Sequence, residues 1–350
     1  FLNLYFIMNP NNNLLEKCLF ENKIKYFKNF NIKSKSWLKA GGVVDNFITP
    51  DNEIDCVKLI KFFYENKFEF YVLGNISNII IRDGAIVTPI INLYKLSSIF
   101  ENKTDEGFKL KVNAGASITK FSKYLTNKGI TGCEGLVGIP GTLGGSIVMN
   151  ASSYSSCISD YLVSVEYIDE NGELLTLNKS EINFGFRKSL FQDKKCLILN
   201  INFLFPLKNL VGTEKTTKRS KKVIEHRSNF QENALPNLGS MFATYDLYKD
   251  LKKKNFLFYI TYIIYKILSF LVYKFSRKNF FAFRKLFVKI YSKLLKLDAS
   301  SNFFVSDKTI NCLVNRGSSK GNDAIKFVKH MKKEVGNCSN LENIILDRIK

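Results

Sequence analysis

The apolar positions of the chain fall into short runs bounded by turn residues and longer stretches of helical spacing. FYVLG (70–74), NIIIR (78–82) and PIINL (89–93) each read as a buried strand. EIDCVKLIKFFYEN (53–66) places apolar residues at helical intervals after Pro50-Asp51, a start signal, and so predicts a helix. KLKVNAG (109–115) alternates as a strand does, and SITKFSKYLTNKG (117–129) predicts a helix from a serine cap to a terminal glycine. YLVSVEYIDENGELLTL (161–177) has a hairpin pattern turning at Glu170-Asn171-Gly172, and LILNINFLF (197–205) predicts a closing strand. From Trp37 to Pro206 these elements predict an α+β domain of two lobes, 37–100 and 101–206, preceded by a helical segment over 8–36.

Beyond Pro206 the texture changes. Residues 213–227 predict a basic helix, SNFQENALPNLGS a loop, and 301–350 a return to strand–helix alternation. A boundary at 206–213 then separates the first domain from a smaller α+β domain over 213–350, which carries an unusual basic, aromatic insert at 245–298.

At 350 residues with 45% apolar content, the chain can build two or three cores and is not of disordered composition. Its seven cysteines are scattered and include no C-x-x-C pair, which fits neither a disulfide framework nor a zinc site and favours a reducing cytoplasm. The opening FLNLYFIMNP is too short for a secretory signal and lacks its basic leader; Met8 is the expected natural start. A formal charge of +21 invites a nucleic-acid reading, but its distribution argues otherwise. Thirteen Lys/Arg and one acid, Asp250, lie between Lys249 and Lys296, so this stretch alone supplies +12. Within it FLFYITYIIYKILSFLVY (256–273) carries one charge, Lys266, and approaches the length of a membrane span. KFSRKNFFAFRKLFVKIYSKLLKL (274–297) puts Phe283, Phe287, Ile290, Leu294 and Leu297 on one helical face, with Lys278, Lys285, Lys289, Lys293 and Lys296 toward another. A basic amphipathic helix of this kind is expected to dock on the anionic cytoplasmic leaflet of a membrane, the alternatives being a packed hairpin and a spanning helix.

The densest local chemistry is GLVGIPGTLGGSIVMNAS (135–152), where glycines let backbone N–H groups approach an anion such as a pyrophosphate. The same glycines equally describe a turn cluster packed against a strand, and the segment is not the G-x-G-x-x-G of a dinucleotide-binding βαβ unit. LGNISNIIIRDG (73–84) is a second candidate phosphate loop between two strands.

Together the two segments resemble the phosphate loops of the UDP-N-acetylenolpyruvoylglucosamine reductase family, "G-x-G-S-N-[LI]-[LI]-[VI]" and "G-I-P-G-T-x-G-G-A-x-x-M-N-A". AGGVVDNFITPDNEIDCVKLIKF resembles that family's first strand and helix, and order and spacing agree from Trp37 to Pro206. The resemblance implies a split, two-lobed FAD-binding domain followed by a smaller substrate-binding domain. It also implies non-covalent FAD contacted by Gly74, Ser77, Asn78, Gly138, Ile139, Pro140, Gly141, Thr142, Gly144 and Gly145, with NADPH as reductant. Asn75 and Ile76 stand where the family has glycines, and Ser146 where it has alanine.

Reducing an enol ether conjugated to a carboxylate requires groups that stabilise charge on the carboxylate and a placed proton donor. By the resemblance, Arg187 in FGFRKSLF matches the arginine of "Y-R-x-S-x-F", and Ser240 in PNLGSMF matches the proton-donating serine of "P-N-x-G-S-x-F". Glu342, six residues after Gly336, has the spacing of the family's assisting glutamate. Asn237, Lys308 and Asn311 fall in substrate-binding motifs. Glu232 replaces a proline, Thr309 a histidine and Phe186 a tyrosine. The implied function is reduction of a UDP-sugar enolpyruvyl group in the cytoplasm, for peptidoglycan precursors, without a metal. A flavoprotein for another UDP-sugar and a non-catalytic homologue remain the alternatives.

Overall fold

The computed structural model describes residues 12–275, 277–297, 303–317 and 320–346; the expected start at Met8 lies outside them. The chain divides into two units. The first holds Phe1–Phe30, Val44–Gly74 and Val87–Thr216; the second holds Asn31–Val43, Asn75–Ile86 and Thr217–Lys350.

Among the described residues of the segment expected to be helical to residue 36, α1 (Asn12–Glu21) is the one α-helix, in the first unit. It stops where Lys23 turns left-handed (φ 55°), and Tyr26–Asn31 is a strand. Its three aromatics, Tyr26, Phe27 and Phe30, explain the difference: they suit a pleated surface better than a helix, and Phe30 stacks on Phe47 at 4.3 Å. Ile90–Ile91 pairs in parallel with both Phe47–Ile48 and Tyr71–Val72. α2 (Glu53–Glu65) is capped by Asn52, which accepts from the Asp55 amide, and buries Cys56, Leu59, Ile60 and Phe63.

A five-stranded antiparallel sheet forms the other half of this unit, in the order Leu174–Asn178, Leu162–Ile168, Leu197–Pro206, Gly107–Asn113, Ile99–Thr104. The expected hairpin turn is there: Asp169 Oδ1 accepts from the amides of Asn171 and Glu173, and Gly172 takes φ +83°. Asn200, fully buried on the central strand, donates to Glu53 (2.8 Å) and Glu166 (3.0 Å), and Glu166 pairs with Lys111 at 2.8 Å. These bonds satisfy a polar group that would otherwise be costly inside the sheet. α3 (Ile118–Asn127) starts at the expected cap, Ser117, and lays Phe121 against Phe203 at 4.9 Å. α4 (Leu143–Val148) rises inside the glycine-rich segment, where the sequence had suggested only loop.

Most of α5 (Thr213–Phe230), from Thr217 on, belongs to the second unit. Its antiparallel sheet places Thr309–Asn315 between Asn237–Ser240 and Phe303–Ser306, and Ile344–Leu346 pairs in parallel with Ile79–Ile81. α6 (Leu247–Leu251), α7 (Phe256–Phe275), α8 (Arg277–Leu294) and α9 (Gly321–Val335) complete it. Asp83 caps α9 from a distant part of the sequence, its two oxygens accepting from Gly321 (2.7 Å) and Asn322 (2.9 Å). The core gathers Leu38, Ile80, Phe242, Leu251, Phe303, Val328 and Met331 around a fully buried Tyr291.

The basic insert is thus built into this core, which corrects the expected role of its second half. Phe287, Tyr291 and Leu295 of the α8 segment are buried, and Phe283, Ile290, Leu294 and Leu297 pack against them. The apolar face that runs from Phe283 to Leu297 is covered by protein. α7 differs: Phe256–Lys274 is long and apolar enough to cross a membrane, and only 11% of it is buried.

Candidate active site

The start of the first loop, Leu73-Gly74, meets the glycine-rich segment within the first unit. A Cβ built on Gly74 would stand 2.4 Å from Thr142 Oγ1, so only glycine lets the loops touch here. Asn92 fixes the Gly74 side, donating from Nδ2 to the Leu73 (2.6 Å) and Gly74 (2.8 Å) carbonyls. On the other side Thr142 is the N-cap of α4: Oγ1 accepts from the Gly145 amide at 3.3 Å.

The amides of the glycine segment are more committed than its composition suggests. Leu143 and Gly144 donate to the Ala116 and Ala114 carbonyls at 2.8 Å each, and Ile139 donates to Leu136 at 3.2 Å. Gly138 donates to Thr119 Oγ1 at 3.2 Å, and the same hydroxyl donates to the Ile139 carbonyl at 3.0 Å. Several glycines therefore serve close packing. What stays open is an edge: Gly138 and Gly145 are exposed, and Ile139, Pro140 and Gly141 are half-buried beside them. An accessible strip of glycine-rich backbone, next to a helix N-cap, fits a phosphate-bearing cofactor such as FAD.

α4 also anchors the loop of Arg187. The buried Ser189 hydroxyl donates to the Val148 carbonyl at 2.7 Å, and Asn150 Nδ2 donates to the Gly185 carbonyl at 2.8 Å. Gly185 and Lys188 exchange backbone bonds, and Arg187 between them is held left-handed at φ 55°. Such a conformation costs a bulky residue about 1–2 kcal/mol, and strain of this kind clusters at working sites. The guanidinium lies 5.9 Å from the centre of the Phe186 ring.

Ser77, Asn78, Ser240 and Glu342 belong to the second unit. Asn78 Nδ2 donates to the Glu342 carbonyl (3.1 Å), and Asn343 Nδ2 donates both to Asn78 Oδ1 (2.7 Å) and to the Ser240 carbonyl (3.1 Å). The Glu342 amide donates to the Met241 carbonyl at 2.7 Å. A phosphate-loop residue is therefore laced to the proton-donor strand and the glutamate segment, although 264 positions separate Asn78 from Glu342. Ser240 is exposed; Asn343 is buried.

The three residues expected to bind substrate are each engaged by backbone. Asn237 Nδ2 donates to the Leu235 carbonyl and its Oδ1 accepts from Gly239. Asn311 brackets Phe242, accepting from its amide and donating to its carbonyl. Lys308 Nζ donates to the Ser228 and Gln231 carbonyls (2.8 Å each) and to Asn233 Oδ1 (3.2 Å). Glu232, where the related family has proline, takes part in the same clasp. It accepts from Ser306 Oγ at 2.7 Å and from the amides of Asn233, Ala234 and Leu235. Burial works against its charge, but the Ser306 hydroxyl and these amides win and hold the carboxyl below its ordinary range.

Ile76 is left-handed (φ 51°) and buried, so the first loop keeps a glycine-like backbone with a β-branched side chain. Asn92, Thr119, Asn150 and Asn343, which the sequence reading passed over, hold the loops; each looks like an ordinary polar residue until its partner is known.

The FAD binding domain family matches residues 44–178. UDP-N-acetylenolpyruvoylglucosamine reductase of Streptococcus pneumoniae strain JJA is 32% identical over 213 residues, covering 60% of this chain and 68% of that protein. The protein of the same name from strain Hungary19A-6 matches to the same extent. In fold, the crystal structure of UDP-N-acetylenolpyruvylglucosamine reductase from Thermus caldophilus aligns with TM-score 0.62 at 20% identity, covering 92% of this chain and 98% of that one. With its FAD-type loops and this degree of identity, the chain belongs to the UDP-N-acetylenolpyruvoylglucosamine reductase family and is an FAD-containing oxidoreductase.

Proposed function

We propose that the protein reduces the enolpyruvyl group of UDP-N-acetylglucosamine enolpyruvate at the expense of NADPH, in peptidoglycan precursor synthesis. With FAD held at the loops, the site would have a hydride donor. Arg187 binds the substrate carboxylate through its planar fork, and Glu342 assists in polarising that carboxylate as charge builds on it. Ser240 Oγ delivers a proton to the neighbouring carbon. The observation that carries this reading is the Asn343 bridge, which ties Asn78 of a phosphate loop to the strand end bearing Ser240.

Gly74, Ser77, Asn78, Gly138, Ile139, Pro140, Gly141, Thr142, Gly144 and Gly145 are proposed to line the FAD diphosphate, exposed edges by contact and buried members by holding the loops. Asn237, Lys308 and Asn311 then serve the substrate chiefly by positioning the Ser240 strand, because their polar atoms are engaged by backbone. We also place the protein in the cytoplasm, peripheral on the inner face of the membrane through residues 249–297.

Steady-state NADPH consumption by the purified protein tests the function. Yellow protein that turns over with the enolpyruvyl nucleotide is the expected result. Colourless protein, or turnover only with a different UDP-sugar, would reject it.

A further inference from the structure

The two faces of α7 have opposite surroundings. Phe258 and Tyr262, one turn apart, are buried in the core of the second unit, and Tyr265 packs beside them. Stepping about 100° per residue around the helix collects Phe256, Ile260, Ile263, Ile264, Ile267 and Leu271 on the opposite side. All six are exposed, Phe256 by 78% and Ile267 by 56%. On a helix whose Phe256–Lys274 stretch has a mean hydropathy of 1.7, this is a continuous apolar stripe turned to solvent, an arrangement that soluble proteins avoid unless something covers it.

Charge identifies the occupant. Lys249, Lys252 and Lys253 precede the helix, Lys266 lies on its flank, and Lys274 closes it, whereas Lys254 is turned to Glu334 at 3.1 Å. The single acid of the stretch, Asp250, is turned inward to the Thr244 hydroxyl. Lys289 and Lys293 of the packed α8 are exposed as well. An apolar stripe within lysines matches the boundary between acyl chains and anionic headgroups. A second copy fits badly, because facing stripes would bring lysine against lysine.

The helix is long enough to span, its 20 residues reaching about 30 Å. Spanning, however, would strip Phe258 and Tyr262 from the core they complete. We propose that α7 is an in-plane membrane helix, seated on an anionic lipid surface through its Phe256–Leu271 stripe while its inner face stays in the protein core. The proposal deepens the peripheral-membrane reading and rests on it. It also moves the contact from α8, whose apolar face is covered, to α7.

Co-flotation of the full-length, FAD-bound protein with phosphatidylglycerol–phosphatidylcholine vesicles, against phosphatidylcholine alone, is the test. The variants are Ile264→Asp/Ile267→Asp on the stripe and Lys289→Glu/Lys293→Glu on α8, each checked by flavin spectrum and solution melting. Wild type is expected to partition at least about tenfold more onto the anionic vesicles, and the stripe variant to lose about tenfold or more with both checks unchanged. The lysine variant should weaken binding, and alkaline carbonate should release the protein.

Wild type that floats with neither vesicle sinks the peripheral reading itself. Wild type that floats while the stripe variant floats equally well leaves that reading standing on lysines alone and overturns the assignment of α7. Resistance to carbonate would overturn the in-plane geometry in favour of a spanning helix. A dimer in sedimentation without lipid binding, abolished by the Asp pair, would make the occupant a second copy.

Discussion

Gly74→Ala perturbs the contact on which the paired loops depend. The new Cβ would lie 2.4 Å from Thr142 Oγ1, 3.3 Å from its Cγ2 and 3.4 Å from its Cβ. Neither side yields easily. Thr142 caps α4 through Oγ1, and its carbonyl accepts from both the amide and the hydroxyl of Ser146. Gly74 is pinned by Asn92. Overpacking of this kind costs about 1–3 kcal/mol, and one misplaced cradle is expected to weaken FAD binding about tenfold or more, since about 1.4 kcal/mol is a factor of ten. Thr142→Ala alone loses the cap, at about 1 kcal/mol. In the double variant Oγ1 and Cγ2 are gone and the remaining approach, 3.4 Å, is ordinary contact. Alanine at 74 then costs little and even gains about 0.4–1 kcal/mol by restricting the unfolded chain. The four proteins should therefore show a coupling of about 1–3 kcal/mol, the double being no worse than Thr142→Ala. Urea midpoints and flavin-fluorescence titrations give the cycle. Additivity within about 0.5 kcal/mol would refute the contact.

Arg187→Lys keeps charge and backbone but loses the fork, so kcat/KM should fall about 10- to 100-fold with melting unchanged; an equal loss in both would mark Arg187 as structural. Asn343→Ala removes the bridge between Asn78 and Ser240 and should cost about 1–3 kcal/mol in urea, with turnover falling beyond the loss of folded protein. Glu232 has its carboxyl held below 4.5, so its stabilisation is complete above that pH and is lost as pH falls through the lower folded value. Glu232→Gln should thus flatten the acid limb of the melting profile and cost about 1 kcal/mol at neutral pH, solvent screening keeping it small. An unchanged acid limb would discard the clasp.

Periodicity and capping made much of the fold legible. α3 and the Leu162–Asn178 hairpin follow from apolar spacing, a Ser cap and an Asn-Gly turn, all local signals, and α2 from its spacing after Pro50-Asp51, although its cap is Asn52. α4 was hidden because glycine opposes helix by about 1 kcal/mol each; tertiary bonds from Leu143 and Gly144 to Ala116 and Ala114 hold it instead. The strand at Tyr26–Asn31 was missed because its aromatic pattern gains meaning only beside Phe47. α8 read correctly as amphipathic, but periodicity does not say whether protein or lipid covers the apolar face. The motifs named Arg187, Ser240 and Glu342, whereas Asn92, Asn150 and Asn343 carry no local mark, since their role is to join distant segments.

Single-turnover kinetics of Ser240→Ala address the proposed chemistry most directly. Wild type and variant, flavin-loaded and reduced anaerobically with NADPH, are mixed with UDP-N-acetylglucosamine enolpyruvate while flavin reoxidation and product are followed. Reduction by NADPH should proceed equally in both, and substrate-dependent product formation should slow about 10²- to 10⁴-fold in the variant, as expected for loss of a placed proton donor. Product formation at the wild-type rate in Ser240→Ala would contradict the assignment of proton delivery to this residue.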